Sequence, residues 1–356
     1  MKTFHCDKCG QQVFFENTLC FGCDSVLGYQ PEQRAVTTFE IAADGHWRSL
    51  KSGDHGRHYK QCSNYAKEQV CNWMLDANDA NEFCASCQMT VVIPSLSNEK
   101  NHLLWQRLES AKRRLLYSLW SLGLQPVSKQ QDEARGLAFQ FLEAGVDDEP
   151  VLTGHDDGLI TLNIAEADPA ERERVREQLH EPYRTLLGHF RHESGHYYFD
   201  RLIADSEWIA DFRELFGDER QDYSESLARH YENGAPANWD ERFISSYASS
   251  HPWEDWAETW AHYLHMVDTL ETAHACGLSL TPRKEAEPEM VIAAPPLKIK
   301  SFDELIADWF ALTYVLNSLN RSVGTPDSYP FKLSSPVQEK LHFVQRVVLA
   351  QVQARP

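Results

Sequence analysis

The chain has 356 residues, 42% of them hydrophobic, and a formal net charge of -19 at pH 7. That length holds two or three domains and that apolar content a sizeable core, while the charge argues against nucleic acid or an anionic membrane as main partner, since phosphate binding needs a basic surface. No run approaches the ~18 apolar residues of a membrane helix, and MKTFHCDKCG has no apolar signal core, so the expected location is the cytoplasm.

Eight of the nine cysteines lie in the first 87 residues. In a reducing compartment such clustering points to metal binding rather than to disulfides. Cys6-x2-Cys9 and Cys20-x2-Cys23 each form a knuckle presenting two thiolates, and two knuckles complete a tetrahedral four-sulfur site. Cys62, Cys71 and Cys84-x2-Cys87 supply the count for a second site, with His5 and His58 as substitutes, although only the last pair has knuckle spacing. Zinc is the expected metal, one structural ion per cluster, and iron uses the same knuckles. Strand-like pieces such as QQVFF and TTFEIAADGHW complete a cysteine-rich region over residues 1–95. The ninth cysteine, Cys276, reads as a small buried side chain in a helix.

A helix follows in SNEKNHLLWQRLESAKRRLLYSLWSLGL, where Leu103, Leu104, Leu108, Leu115 and Leu116 recur at helical spacing and Ser97 or Asn98 caps the start. Its Lys112-Arg113-Arg114 cluster reads as a solvated face. GHDDGLITLNIAEAD reads as a turn and a strand with Ile160, Leu162 and Ile164 on one side. Asp168 caps the next helix, Pro169 sits in its first turn, and Pro182 starts another. After an irregular stretch with the loop NGAPANWD, a helix begins at PWEDWAETWAHYLHMVDTLETAHA; a Pro-rich linker, RKEAEPEMVIAAPPLKIK, then leads to a last helical part.

The chemistry concentrates in His192-Glu193-Ser194-Gly195-His196, an H-E-x-x-H. On a helix, residues i and i+4 share a face, so both imidazoles reach one ion. Glu193 stands beside them as the base for a water whose pKa zinc brings near neutrality. The strand in GLITLNIAE is the expected rim that pairs with extended substrate. Two histidines leave a catalytic zinc one protein ligand short. At 100° per residue, Glu254, Glu258, Ala261 and His265 of the later helix fall on one stripe, with His262 at its edge. Trp253, Trp256, Trp260, Leu264 and Val267 fall opposite and read as core. Asp200, His262 and His265 are rival third ligands, Glu258 is the strongest rival to Glu254, and His189 and His251 read as surface or supporting groups.

The stretch Glu254-Asp255-Trp256-Ala257-Glu258 resembles the second helix of gluzincin-type zincins. That resemblance implies Glu254 as ligand, Glu258 as the acid that orients a histidine, and Tyr247, seven residues before Glu254, as the oxyanion's hydrogen-bond donor. More widely, CDKCG, CNWM, FCASC, WQRLESAKRRLLYSL, FRHESGHYYFDRLI, FGDERQDY, ISSYASSHPWEDWAETWAHYLHM and NRSVGTPDSYPFKLSSPVQEKLHFV resemble bacterial proteins that pair a zinc ribbon with a zinc-binding metallopeptidase domain. The expected fold is α+β: an N-terminal zinc-ribbon β module over 1–95, a connecting helix and linker over 96–135, and a mostly helical zincin-like metallopeptidase domain over 136–356. The expected activity is hydrolysis of a peptide or protein substrate with one catalytic and two structural Zn2+. The competing class is a zinc-stabilised interaction module whose ribbons dock a protein partner, with peptidase activity vestigial or absent.

Overall fold

A computed structural model describes the chain except for residues 55, 145–150, 152, 179, 180, 182, 183, 293, 297–300 and 354–356. It is an α+β protein, with a stranded zinc-ribbon region first and a helical region after it. Two compact units emerge: residues 2–117 with 126–172, and residue 1 with 118–125 and 173–356.

In the first unit, β1 (Phe4–His5) and β2 (Gln12–Val13) form an antiparallel ribbon. Strands β3 (Val26–Gln30), β4 (Ala35–Ile41), β5 (Trp47–Ser49), β6 (His58–Gln61) and β7 (Met74–Asp76) form an antiparallel meander in chain order. Short helices α1 (Ser63–Ala66) and α2 (Ala85–Gln88) start directly after Cys62 and Cys84. Strand β8 (Thr90–Val92) leads into α3 (Glu99–Ser121), which crosses over to β9 (Ala138–Leu142), the parallel neighbour of β8. A parallel pair needs such a crossover. β10 (Gly154–Asp156) and β11 (Leu159–Asn163) complete the sheet in the order β10-β11-β9-β8. Ile160, Leu162 and Ile164 are buried as the alternation predicts. Residues 126–172 therefore group with the N-terminal unit, because β9 and β11 extend the sheet that β8 begins, and not with the helical region from 136 onward.

Three expectations are corrected here. β11 lies between β9 and β10, so both of its edges are paired and neither is open to a substrate strand. Lys112 and Arg113 are buried, not solvated: Lys112 Nζ pairs with Glu109 Oε2 at 2.8 Å with both side chains fully covered, and Arg113 Nη1 donates to Val70 O at 2.5 Å. Buried charges persist where a partner offsets desolvation. Leu103 is 46% exposed, while Leu104, Leu108, Leu115 and Leu116 form the buried stripe. Asn98 makes the cap, its Oδ1 accepting from Lys100 N.

Next come α4 (Pro169–Gln178), capped by Asp168, α5 (Leu186–Leu202), α6 (Ile209–Phe216), α7 (Tyr223–Asn233) and α8 (Pro252–Ala275). A two-stranded ribbon of β12 (Ser279–Leu280) and β13 (Met290–Val291) then takes in part of the expected linker, before α9 (Phe302–Ser322) and α10 (Ser335–Gln353). The predicted start at Pro182 lies outside the described residues; α5 opens at Leu186, with Thr185 Oγ1 accepting from Gly188 N at 2.9 Å. Within the second unit α8 is buried nearly all round, as a central helix must be. Trp256 and Trp260 are fully covered, Trp256 among Phe212, Phe216 and Phe343 and Trp260 stacked on Tyr198. Cys276 caps the C-terminus of α8 and is exposed, not buried, because the helix has left the core by that point. No helix among the described residues is long and apolar enough to cross a membrane.

Candidate active site and metal centres

Both cysteine groups assemble. The sulfurs of Cys6, Cys9, Cys20 and Cys23, and those of Cys62, Cys71, Cys84 and Cys87, each lie within 4.8 Å of one another. The separations are 3.6 Å for Cys6–Cys23 and Cys9–Cys20, and 3.7 Å for Cys71–Cys84. Tetrahedral Zn–S bonds of ~2.3 Å place sulfurs about 3.8 Å apart, so the sets fit zinc. In the first cluster, Thr38 Oγ1 donates to Cys6 Sγ at 3.3 Å, and Asp7 and Thr38 bond each other's backbone N–H, which ties the knuckle to β4. In the second, the backbone N–H of Trp73 and of Cys84 donate to Cys71 Sγ and Cys62 Sγ. Burial opposes the charge of Arg113, but the negative charges of Cys71 as thiolate, of the Glu109 carboxylate and of Cys87 and Cys84 as thiolates outweigh it, so the guanidinium stays cationic beside this buried group. His5 is exposed and His58 Nδ1 pairs with Asp44, so neither joins a cluster.

The third group is His192, His196 and Glu254, whose ligand atoms also lie within 4.8 Å of one another. The histidines sit one turn apart on α5, and Glu254 lies in the first turn of α8, where the helix N-terminus favours a carboxylate. The helices approach closely because Gly195 faces Ala257: a Cβ at Gly195 would stand 2.9 Å from Ala257 Cα. Two indoles lock the crossing, Trp256 Nε1 donating to Gly195 O at 2.8 Å and Trp260 Nε1 to Ser194 Oγ at 3.1 Å.

The donor geometry fits a cation. His192 Nδ1 donates to Glu258 Oε1 at 2.7 Å, and Glu258 Oε2 accepts from Ser245 Oγ at 2.6 Å. His192 Nε2 lies 3.0 Å from Glu254 Oε2; burial opposes a charge on this imidazole, but its bonds to Glu254 and Glu258 and their charges outweigh burial and raise its pKa well above the ordinary value. His196 Nε2 lies 3.6 Å from Glu254 Oε1. A cation entering here would take the place of the Nε2 proton, and His192, His196 and Glu254 would offer it three Lewis bases; buried Glu254 Oε2 has His192 Nε2 as its close polar neighbour. Burial pushes Glu254 up, but the imidazoles of His196 and His192 override it and hold the carboxyl at about 2. Glu258 is likewise held at about 2, against burial, by His192.

Glu193 follows His192 on α5, its Oε1 3.3 Å from His189 Nε2. Burial raises its pKa, but the bond from His189 and the charges of His192 and His196 bring it below the ordinary value, so the side chain is an anion. The Tyr247 ring lies 6.0 Å from that of His192, and its phenol is pushed far up by burial and by Glu254.

Trp253 leaves the predicted core face. It is half-buried, with its ring 4.1 Å from that of His196, because the first turn of α8 faces the site rather than the interior. His251 caps α8 through Nδ1 and bonds Gln221 O through Nε2, which uses both nitrogens. His262 pairs with Tyr329, and His265 Nδ1 with Arg191, so neither belongs to the three-ligand group; Asp200 is exposed on α5. Two contributors were not singled out as site residues in the sequence: Ser245, and Tyr223 at the start of α7, whose phenol donates to Glu254 Oε1 at 2.6 Å. Both lie in stretches that carry the family resemblance, FGDERQDY and ISSYASSHPWEDWAETWAHYLHM, which was their available signal.

Comparison with known proteins adds family context. Residues 101–347 match the family described as "Putative zinc-binding metallo-peptidase", and residues 3–98 match a zinc-ribbon domain. The chain is 43% identical over 349 residues to a protein of Mycobacterium tuberculosis (strain H37Rv), "Uncharacterized protein Rv2568c", covering 98% of this chain and 95% of that one. "Uncharacterized protein Mb2598c" of Mycobacterium bovis matches to the same extent. No solved structure matches.

Proposed function

From the premise that this chain belongs to that zinc-binding metallo-peptidase family, we propose that it is a gluzincin-type zinc peptidase of the cytoplasm that hydrolyses peptide bonds in a peptide or protein substrate. The observation that carries this reading is the convergence of His192, His196 and Glu254, whose ligand atoms lie within 4.8 Å of one another, beside the ionised Glu193. His192, His196 and Glu254 would hold the catalytic zinc, and the two cysteine groups a structural zinc each. Bound zinc in such a site supplies polarisation of the peptide carbonyl and acidification of the attacking water.

The remaining chemistry belongs to the chain. Glu193 takes the proton of the attacking water and returns it to the leaving amine nitrogen. His189 fixes the carboxylate through Oε1. Tyr247 donates its phenol proton in a hydrogen bond to the carbonyl oxygen as charge develops there. Glu258, held by Ser245, keeps the Nδ1 proton on His192 and so leaves Nε2 to the metal. Eight thiols used as metal ligands suit a reducing compartment.

The test compares wild type with Glu193→Gln on a peptide library, with zinc content measured in both. Cleavage by wild type alone, at equal zinc, supports the reading; no cleavage by either overturns it. The second reading, a ribbon that docks a protein partner, draws on the exposed Phe21 and Phe14 of the first ribbon, 86% and 65% accessible, and would be favoured by that negative result.

A further inference from the structure

We propose that Tyr223 is the positioning residue that makes Glu254 a one-oxygen ligand: its phenol O–H occupies Oε1 and leaves Oε2 to the metal. The inference rests on the ligand assignment above and adds a residue to it.

The two oxygens of Glu254 have different surroundings. Oε1 accepts from Tyr223 at 2.6 Å, while Oε2 faces the ligand nitrogen His192 Nε2 at 3.0 Å and takes no bond from Tyr223. A carboxylate free at both oxygens can swing between one- and two-oxygen coordination, and a short hydrogen bond to one oxygen removes that freedom.

The phenol is itself held from two sides. Tyr223 is the first residue of α7, whose start is capped by Asp222 Oδ1 accepting from Glu225 N at 2.7 Å. The preceding Gln221 O accepts from His251 Nε2 at 3.2 Å, and His251 caps the helix whose first turn carries Glu254. The starts of α7 and α8 are thus pinned together, with the phenol of one helix meeting the carboxylate of the other. The Tyr223 ring packs edge-on against His251 at 5.3 Å and Trp253 at 5.7 Å, and Trp253 in turn covers His196. This leaves the ring little room to rotate away from Oε1. The bond spans 31 residues, so a sequence pattern does not reveal it.

The experiment uses the full chain with its cysteine sites loaded with zinc. A mild chelator empties the histidine–glutamate site, which is reloaded with zinc under chelator competition or with Co2+, whose visible absorption intensity falls as coordination rises from four to five. In Tyr223→Phe, zinc affinity at this site should fall about 10–100-fold, the range for lost ligand-supporting bonds, and the cobalt absorption should weaken as Glu254 takes up two-oxygen binding. Asp222→Ala, which loosens α7 but keeps the phenol, should leave the cobalt spectrum as in wild type. Tyr223→Phe with affinity within about twofold of wild type and an unchanged spectrum overturns the inference while the site assignment stands. Asp222→Ala reproducing the Tyr223→Phe spectrum overturns it as well, since helix position and not the phenol would then be responsible. Wild type that takes up metal only at its cysteines overturns the underlying site assignment too.

Discussion

His192 Nδ1 and Glu258 Oε1 lie 2.7 Å apart, joining the first histidine of the H-E-x-x-H to a carboxylate one turn beyond Glu254. This bond holds a proton on Nδ1, so that Nε2 is the nitrogen a metal bound beside Glu254 would take. Glu258→Gln keeps the shape but removes the charge that favours the Nδ1 proton. Zinc affinity at the histidine–glutamate site should drop about 10–100-fold, measured by chelator competition with zinc held in the cysteine sites. Unchanged affinity would show that Glu258 plays no orienting part.

Gly195 should resist replacement by alanine. In an exposed helix that change stabilises by about 1 kcal/mol. Here the new Cβ would meet Ala257 Cα at 2.9 Å, a backbone atom of a buried helix that cannot give way. We expect a loss of about 1–3 kcal/mol, read as a lower urea midpoint at unchanged slope. A gain in stability would contradict the close crossing of α5 and α8.

Asp255 is fully buried, with Lys340 Nζ at 2.6 Å from Oδ2. Burial is the largest influence on its carboxyl and, against the pull of Lys340, pushes it up to about 7. A raised folded-state pKa stabilises fully below the unfolded value of about 4. That contribution is lost as pH rises toward about 7 and is level above it. Asp255→Asn cannot ionise, so the stability of wild type relative to this variant should decline from about pH 4 to about pH 7. Urea unfolding across that window measures it, and a difference that grows with pH would refute the assignment.

The two cysteine clusters should release zinc at different rates. Cys9 is exposed and Cys23 half-exposed, whereas Cys62, Cys71, Cys84 and Cys87 are all buried. In a His192→Ala background, where the cysteine sites dominate the signal, a colorimetric chelator should see a fast and a slow phase. The fast one should vanish in Cys9→Ser and the slow one in Cys87→Ser. β-structure should be lost with the slow phase, since structural zinc contributes folding free energy directly. A fast phase that disappears in Cys87→Ser instead would reverse the assignment.

Several features of this protein follow from local spacing alone. A C-x-x-C turn brings two thiols together wherever it folds, and i and i+4 on a helix bring His192 and His196 to one face, so these needed no knowledge of distant contacts. The same periodicity placed Glu254 and Glu258 on one stripe of α8. It left open which of them faces Nε2 of His192, because both answers share that stripe. The approach of α5 to α8 decided this, through the absent side chain of Gly195. Lys112 and Arg113 read as solvent-facing by type, yet Glu109 pairs with Lys112, and Glu109 and the thiolates of the buried cysteine group offer Arg113 the negative charge that allows it inside. Trp253 reads as core by its wheel position but sits over His196, since the first turn of a helix can face a site while the rest faces the interior. Tyr223, at the start of α7, and Ser245 lie in stretches that carry the family resemblance, yet they reach α8 through contacts that no repeat in the sequence encodes. Sequence thus determined the chemistry each short segment offers, and the tertiary structure determined which atoms of those segments meet, because that meeting depends on how distant helices pack.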